Sequence, residues 1–250
     1  MKRTITLLAV LLVAFSITFI GCKKEQKDDG YVFASDATWP PLEFVDNGEL
    51  TGFEVELIPL IAEKVGVTMT VKNIPWDTIF AGLANGAYDG VASGVTVTEE
   101  RKNSMDFSTT ILKAGQIVIV RTSDSDTIKG MQDLEGKKIG VQIGTTGDFA
   151  LEDYPVVKRA YDDIGLAIED LLNGNVDAAV CDSLIASDFV LANENYKSKL
   201  TVAGEPFTQE DIAIAVKKGN TELLSLINKG LELAIADGSF NALKAKWNLL

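Results

Sequence analysis

The residues able to do chemistry in this 250-residue chain stand just beyond its predicted strands. Ligands of open α/β sheets bind past the carboxyl ends of the strands, so these positions carry the first functional expectation. After the run 31–35 comes Asp36-Ala37-Thr38-Trp39-Pro40-Pro41, and after 88–92 comes Ser93-Gly94-Val95-Thr96-Val97-Thr98-Glu99-Glu100-Arg101. In the second half, Gln142-Ile143-Gly144-Thr145-Thr146-Gly147 and Cys181-Asp182 occupy corresponding places. Each candidate also has a plain structural explanation. Arg101 reads equally as a solvated helix charge, Thr96 or Thr98 as a helix cap, Asp182 as the cap of a helix starting near Leu184, and Trp39 and Trp76 as core aromatics.

Bond-making chemistry is largely excluded. The chain has no histidine, which removes Ser-His-Asp triads, Cys-His dyads and histidine metal sites. The run Gly130 to Lys138 has one residue too many between its glycines for a phosphate-binding loop and ends in Lys. No GxGxxG opens a helix after a strand, and the acids are not spaced as an EF-hand. No cofactor and no metal are expected.

The elements that must position these residues alternate along the chain. Strand-like runs at 31–35, 68–72 and 88–92 are separated by helical patterns at 53–65 and 78–85. The second half repeats the order with 138–142, 148–152, 156–160, 164–172, 177–180 and 184–193. Such alternation predicts parallel strands with right-handed crossovers. Asn85-Gly86 and Asn173-Gly174 each close a helix before a strand, an internal echo of two similar lobes. The tail from Asn220 is helical, with Leu223, Leu224, Ile227, Leu231, Ala234 and Ile235 on one face and a break at Gly238. Crossings near 111–120 and 207–213 would let this tail complete the first lobe and would form a hinge.

Five stretches, in order, carry a resemblance: SDATWPPLEF, GFEVEL, SGVTVTEERKNSMDFS, LEGKKIGVQIGTTG and DGSFNALKAKW. Together they resemble the amino-acid-binding family of periplasmic solute-binding proteins, family 3, over nearly the whole chain beyond its leader. The resemblance implies an α/β, two-lobed type II binding fold, each lobe a mainly parallel sheet flanked by helices. Residues 31–111 with 212–250 would form one lobe and 112–211 the other. It also implies a free L-amino acid as ligand, an ABC permease as partner, Arg101 on the ligand carboxylate and Asp182 on its ammonium. Ser93, Gly94, Thr96, Thr145 and Thr146 belong to the same expected site. Asp36, Trp39, Trp76, Gln142 and Cys181 would surround the ligand side chain.

Physical chemistry agrees with that assignment. A free amino acid is a zwitterion, and burying it requires a fixed cation and a fixed anion, because unpaired buried charge is costly. The planar fork of arginine suits a carboxylate, and backbone N–H groups of residues 144–147 could add to it. Two indoles and the Asp36 carboxylate favour a planar cation, so arginine is the first expectation, lysine the second, and glutamine a neutral alternative. The same motifs resemble cyclohexadienyl dehydratases, but an ammonium-binding Asp182 has no use with prephenate, which argues for binding alone. A sensing role is the other alternative; with the chain ending at Leu250, it would need a separate effector.

Charge and leader bound the setting. Met1-Lys2-Arg3 followed by the apolar run 5–21 has the form of a secretory signal. Gly21-Cys22 resembles a lipoprotein cleavage site, which implies lipidation of Cys22, a membrane anchor, and a polar tether over 22–30. Formal net charge is −13, and loss of Lys2 and Arg3 with residues 1–21 would make the remainder two units more acidic. Nucleic acid is therefore not an expected partner. With Cys22 lipidated, Cys181 has no disulfide partner, and a monomer is expected.

Overall fold

A computed structural model describes residues 30–249 of the protein. The expected signal segment, Cys22 and most of the tether lie outside the described residues. Within them no helix is long and apolar enough to cross a membrane.

Two five-stranded sheets share one connectivity. In the first, the strands run in the order Met69–Asn73, Tyr31–Ser35, Gly90–Val91, Ala215–Lys217, Met105–Phe107; in the second, Val157–Tyr161, Lys138–Gln142, Ala178–Asp182, Gln116–Arg121, Leu200–Ala203. The first three strands of each order are parallel, and the fourth runs antiparallel to both its neighbours. That fourth strand is the one that follows a crossing between the sheets. Leu112–Ala114 leads out, Glu210–Ile212 leads back, and the two pair with each other antiparallel.

The central strands are buried on both faces, as their apolar runs require. Phe33 and Ala34 are fully buried in the first sheet, as are Ile139, Val141, Ala178 and Ala179 in the second. The helix Phe53–Val65 presents Leu57, Ile58, Ile61 and Ala62 inward and stops at Gly66, whose left-handed φ of 71° ends the helix. It lies against the long C-terminal helix Thr221–Ala236 at Gly230, where an added Cβ would come within 2.9 Å of the Ile61 carbonyl oxygen. Only glycine permits that approach.

Three elements differ from the sequence patterns. The strand expected over 88–92 is ordered only at Gly90–Val91; at Asp89 the side-chain carboxylate, in place of a backbone carbonyl, accepts the Val32 N–H at 2.9 Å. The helix expected over 148–152 is Thr146–Phe149, started earlier by the Thr145 hydroxyl, which accepts from the Asp148 N–H at 3.2 Å. The helix expected over 184–193 is a turn of α-helix, Ser183–Ser187, continued by a wider π-helical turn, Asp188–Ala192. A small sheet of Thr38–Trp39, Glu43–Asp46 and Glu49–Thr51 was not expected; its strands are too short to carry a periodic signal.

Candidate functional site

The carboxyl ends of four parallel strands converge where the two sheets face each other. Asp36 follows Tyr31–Ser35, and Ser93 and Gly94 follow Gly90–Val91; Gln142 and Asp182 are the last residues of their strands. Protein groups meet directly across this junction. Gln142 donates from Nε2 to Asp36 Oδ2 and to the Asp162 carbonyl, both at 3.1 Å, and its amide oxygen accepts from the Trp39 indole N–H. Trp39 and Trp76 lie nearly parallel, with ring centres 6.2 Å apart.

Arg101 stands at one end of the junction. Its helix, Glu99–Lys102, is capped by Thr98, whose hydroxyl accepts from the Arg101 N–H at 3.1 Å. The guanidinium lies 5.5 Å from the Trp76 ring centre and 5.0 Å from that of Phe80. It donates to the carbonyls of Thr96 (3.0 Å) and, from the opposite sheet, Gly144 (3.3 Å). Among the described residues it forms no ion pair. Burial pushes its pKa down, opposed by the nearby acids Glu210, Asp182 and Glu100. It is a half-buried cation with no counter-anion in contact among the described residues.

Asp182 stands at the other end. It occupies the cap position of Ser183–Ser187 but makes no capping hydrogen bond, so its side chain is free for other use. One oxygen accepts from Gln116 Nε2 at 3.1 Å; the other is buried with no donor among the described residues, as is Gln116 Oε1. Burial, reinforced by the Glu210 charge, raises the Asp182 pKa from 3.8 to about 7, against the Gln116 bond and Arg101. Burial likewise raises Asp36 and pushes the Cys181 thiol well up, keeping it neutral within the apolar core.

Between these ends, Thr96 and Thr146 both donate to Glu210 Oε2 at 2.7 Å, one from each side of the junction. Their hydroxyls are 3.4 Å apart, and Thr146 also accepts from Gln116 at 3.1 Å. The other Glu210 oxygen accepts from Thr208 at 2.8 Å. The structure thus brings Asp36, Trp39, Trp76, Ser93, Gly94, Thr96, Arg101, Gln142, Thr146 and Asp182 into one neighbourhood. Thr145 lies beside it, its hydroxyl turned to the Gln142 carbonyl at 2.8 Å. One expectation is corrected: the Gly144 N–H is taken by Asp148 Oδ2 at 2.9 Å and is no donor for an anion.

Three residues escaped the sequence reading. Gln116 and Glu210 enter from the strands at the crossings, where no motif marks them. Phe80 stands one helical turn after Trp76, a spacing that could have revealed it.

Two mixed sheets joined by a pair of crossing strands, with polar strand ends facing inward, define a type II periplasmic binding-protein fold. The chain belongs to the bacterial extracellular solute-binding proteins, family 3, whose pattern matches residues 31–249. It is a binding protein of an extracytoplasmic family, not an enzyme. It is 37% identical over 215 residues to the L-cystine-binding protein TcyJ of Escherichia coli K12, spanning 85% of this chain and 80% of that one. It is 31% identical to the ABC transporter arginine-binding protein 1 of the same organism, over 99% of both chains. A solved ancestral arginine-binding protein bound to arginine superposes with a TM-score of 0.81 at 40% identity, covering 87% of this chain and 97% of that one. A solved ancestral arginine-binding protein bound to glutamine gives 0.82 at 40% identity, over 87% and 96%. These relatives are named for amino-acid binding, and one of them for an ABC transporter.

Proposed function

We propose that this protein captures a free L-amino acid, arginine by preference, between two lobes and delivers it to an ABC importer. The lobes are residues 31–111 with 212–250, and 112–211. Arg101 holds the ligand carboxylate and Asp182 its ammonium, with Glu210 adding negative potential beside Asp182. Ser93, Gly94, Thr96 and Thr146 complete the polar cradle, with Thr145 bracing the Gln142 carbonyl beside it. Asp36, Trp39, Trp76 and Gln142 receive the side chain.

One observation carries this reading: a half-buried guanidinium that forms no ion pair among the described residues stands opposite buried acceptor oxygens without a donor among them. A zwitterion satisfies both at once, and neither half of it alone does. Preference for arginine rests on the two indoles beside a carboxylate, since a planar cation gains about 0.5–2 kcal/mol per desolvated aromatic face. Lysine ranks second, and glutamine third because Asp36 and Gln142 can also pair with an amide. Ligand contact with both lobes would stabilise the closed form, which the permease recognises. Cys22, outside the described residues, anchors the monomer to the membrane through its lipid.

A thermal-shift screen of the common L-amino acids tests the reading. A ligand at a hundred times its dissociation constant adds about 2.7 kcal/mol of stability, a readily measured shift. Arginine should give the largest rise; no rise with any amino acid would end the proposal.

A further inference from the structure

Behind the first sheet's strand ends lie two carboxyls that face no ligand. Glu43 opens the strand Glu43–Asp46, and Glu54 sits in the first turn of the helix Phe53–Val65; both are completely buried. The Glu54 N–H bonds to the Leu42 carbonyl at 2.9 Å, which seats the start of the helix beside the strand. Each carboxyl spends one oxygen on the same segment. Glu43 Oε1 accepts from the Ser93 hydroxyl at 3.0 Å, and Glu54 Oε1 from the Gly94 N–H at 2.9 Å. The Ser93 hydroxyl oxygen in turn accepts from the Asp36 N–H at 2.9 Å. The remaining oxygens, Glu43 Oε2 and Glu54 Oε2, are buried and have no donor among the described residues.

Two such carboxylates cannot both be ionised in this setting. The charges acting on Glu43 are Glu54, then Asp36 and Asp182, all acidic, and neither glutamate is ion-paired among the described residues. Adjacent buried like charges force a proton onto one of them. Two acceptor oxygens lacking a donor need one hydrogen between them, and a carboxylic acid beside a carboxylate provides it.

We propose that Glu43 and Glu54 share a proton through their unpartnered oxygens and, as that pair, position Ser93 and Gly94, and through Ser93 the Asp36 backbone, for ligand capture. They are positioning residues, and their effect on affinity rests on the amino-acid reading above. Burial, opposed by the Gly94 N–H, raises Glu54 to about 8, consistent with a proton retained at neutral pH.

Infrared difference spectra of the ligand-free protein at neutral pH provide the test. Wild type should show the carbonyl stretch of a protonated carboxyl that disappears in Glu54→Gln and shifts in frequency in Glu43→Gln. Spectra showing both glutamates ionised would overturn the proposal. Binding supplies the second arm. Glu54→Gln keeps an acceptor for Gly94 and a donor for Glu43, whereas Glu54→Leu removes both, so the glutamine variant should bind roughly tenfold or more tightly than the leucine variant. Equal weakening would overturn the positioning role. Should Glu54→Leu not fold, the comparison of Glu54→Gln with wild type decides, with a loss beyond roughly tenfold counting against the proposal. The pH profile gives a third readout. A carboxyl with a raised pKa contributes stability fully present below its ordinary 4.5 and lost as pH rises through about 8. The melting temperature of wild type should therefore fall across that range, and that of Glu54→Gln should fall less. If no amino acid binds any variant, the transport reading fails while the infrared arm still decides the shared proton.

Discussion

The two sheets repeat one strand order, yet the walls they turn toward each other differ in kind. The first contributes a guanidinium seated on Trp76 and Phe80, two near-parallel indoles and a hydroxyl network backed by buried glutamates. The second contributes an amide, a threonine and an aspartate with one oxygen left over. Shared connectivity explains why strand ends from both halves converge; it says nothing about what those ends bind. Specificity resides in the few residues after each strand, and opposite charge on the two walls is what a dipolar solute requires.

The contrast can be broken most severely at its cationic end. Arg101→Ala should weaken amino-acid binding at least a hundredfold, since removing one member of a buried charge pair costs about 2–5 kcal/mol. Calorimetric titration would show it, and unchanged affinity would remove Arg101 from the site.

The anionic end should respond next, with a pH signature. Asp182→Asn keeps the bond to Gln116 but loses the charge, for an expected loss on the order of tenfold to a hundredfold. An ammonium binds the ionised carboxylate, so wild-type affinity should climb as pH rises through about 7 and fall on acidification. The variant should be nearly flat over the same range. Stability of the ligand-free fold has the opposite sign. The native state holds the extra proton, so this contribution is full below 3.8 and is lost as pH approaches about 7.

A smaller effect separates candidate ligands. Trp76→Leu removes one aromatic face, and arginine affinity should drop by about 0.5–2 kcal/mol while glutamine affinity changes less. Equal losses would transfer the preference away from cations. Smallest of all, Asp237→Asn removes an exposed ion pair with Lys64 far from the junction. Lys64 holds the Asp237 pKa below its ordinary value, so the pair stabilises above the carboxylate range and is lost on acidification. A slight drop in melting temperature at neutral pH with unaltered binding is expected.

Much of this architecture was legible in the sequence because it is periodic. Alternating runs located Tyr31–Ser35, Lys138–Gln142 and Ile164–Leu172 with their observed bounds, and the residues after the strands led to Arg101 and Asp182. Glu210 and Gln116 were invisible for a physical reason. Glu210 reaches the site from a three-residue crossing strand and meets Thr96 across 114 residues of chain, and Gln116 opens a strand whose apolar run carries no sign of a site. Glu54 did leave a trace that went unread: it shares the i, i+3, i+4, i+7 stripe with Leu57, Ile58 and Ile61. An acid on an apolar stripe signals a buried partner, here the Gly94 N–H.

Calorimetric comparison of L-arginine with agmatine, which keeps the guanidinium and the amine but lacks the carboxylate, tests most directly whether the protein grips both ends of a zwitterion. The account predicts that agmatine binds at least a hundredfold more weakly, the missing anion leaving Arg101 unpaired beneath the bound ligand. Equal affinity for the two would contradict it.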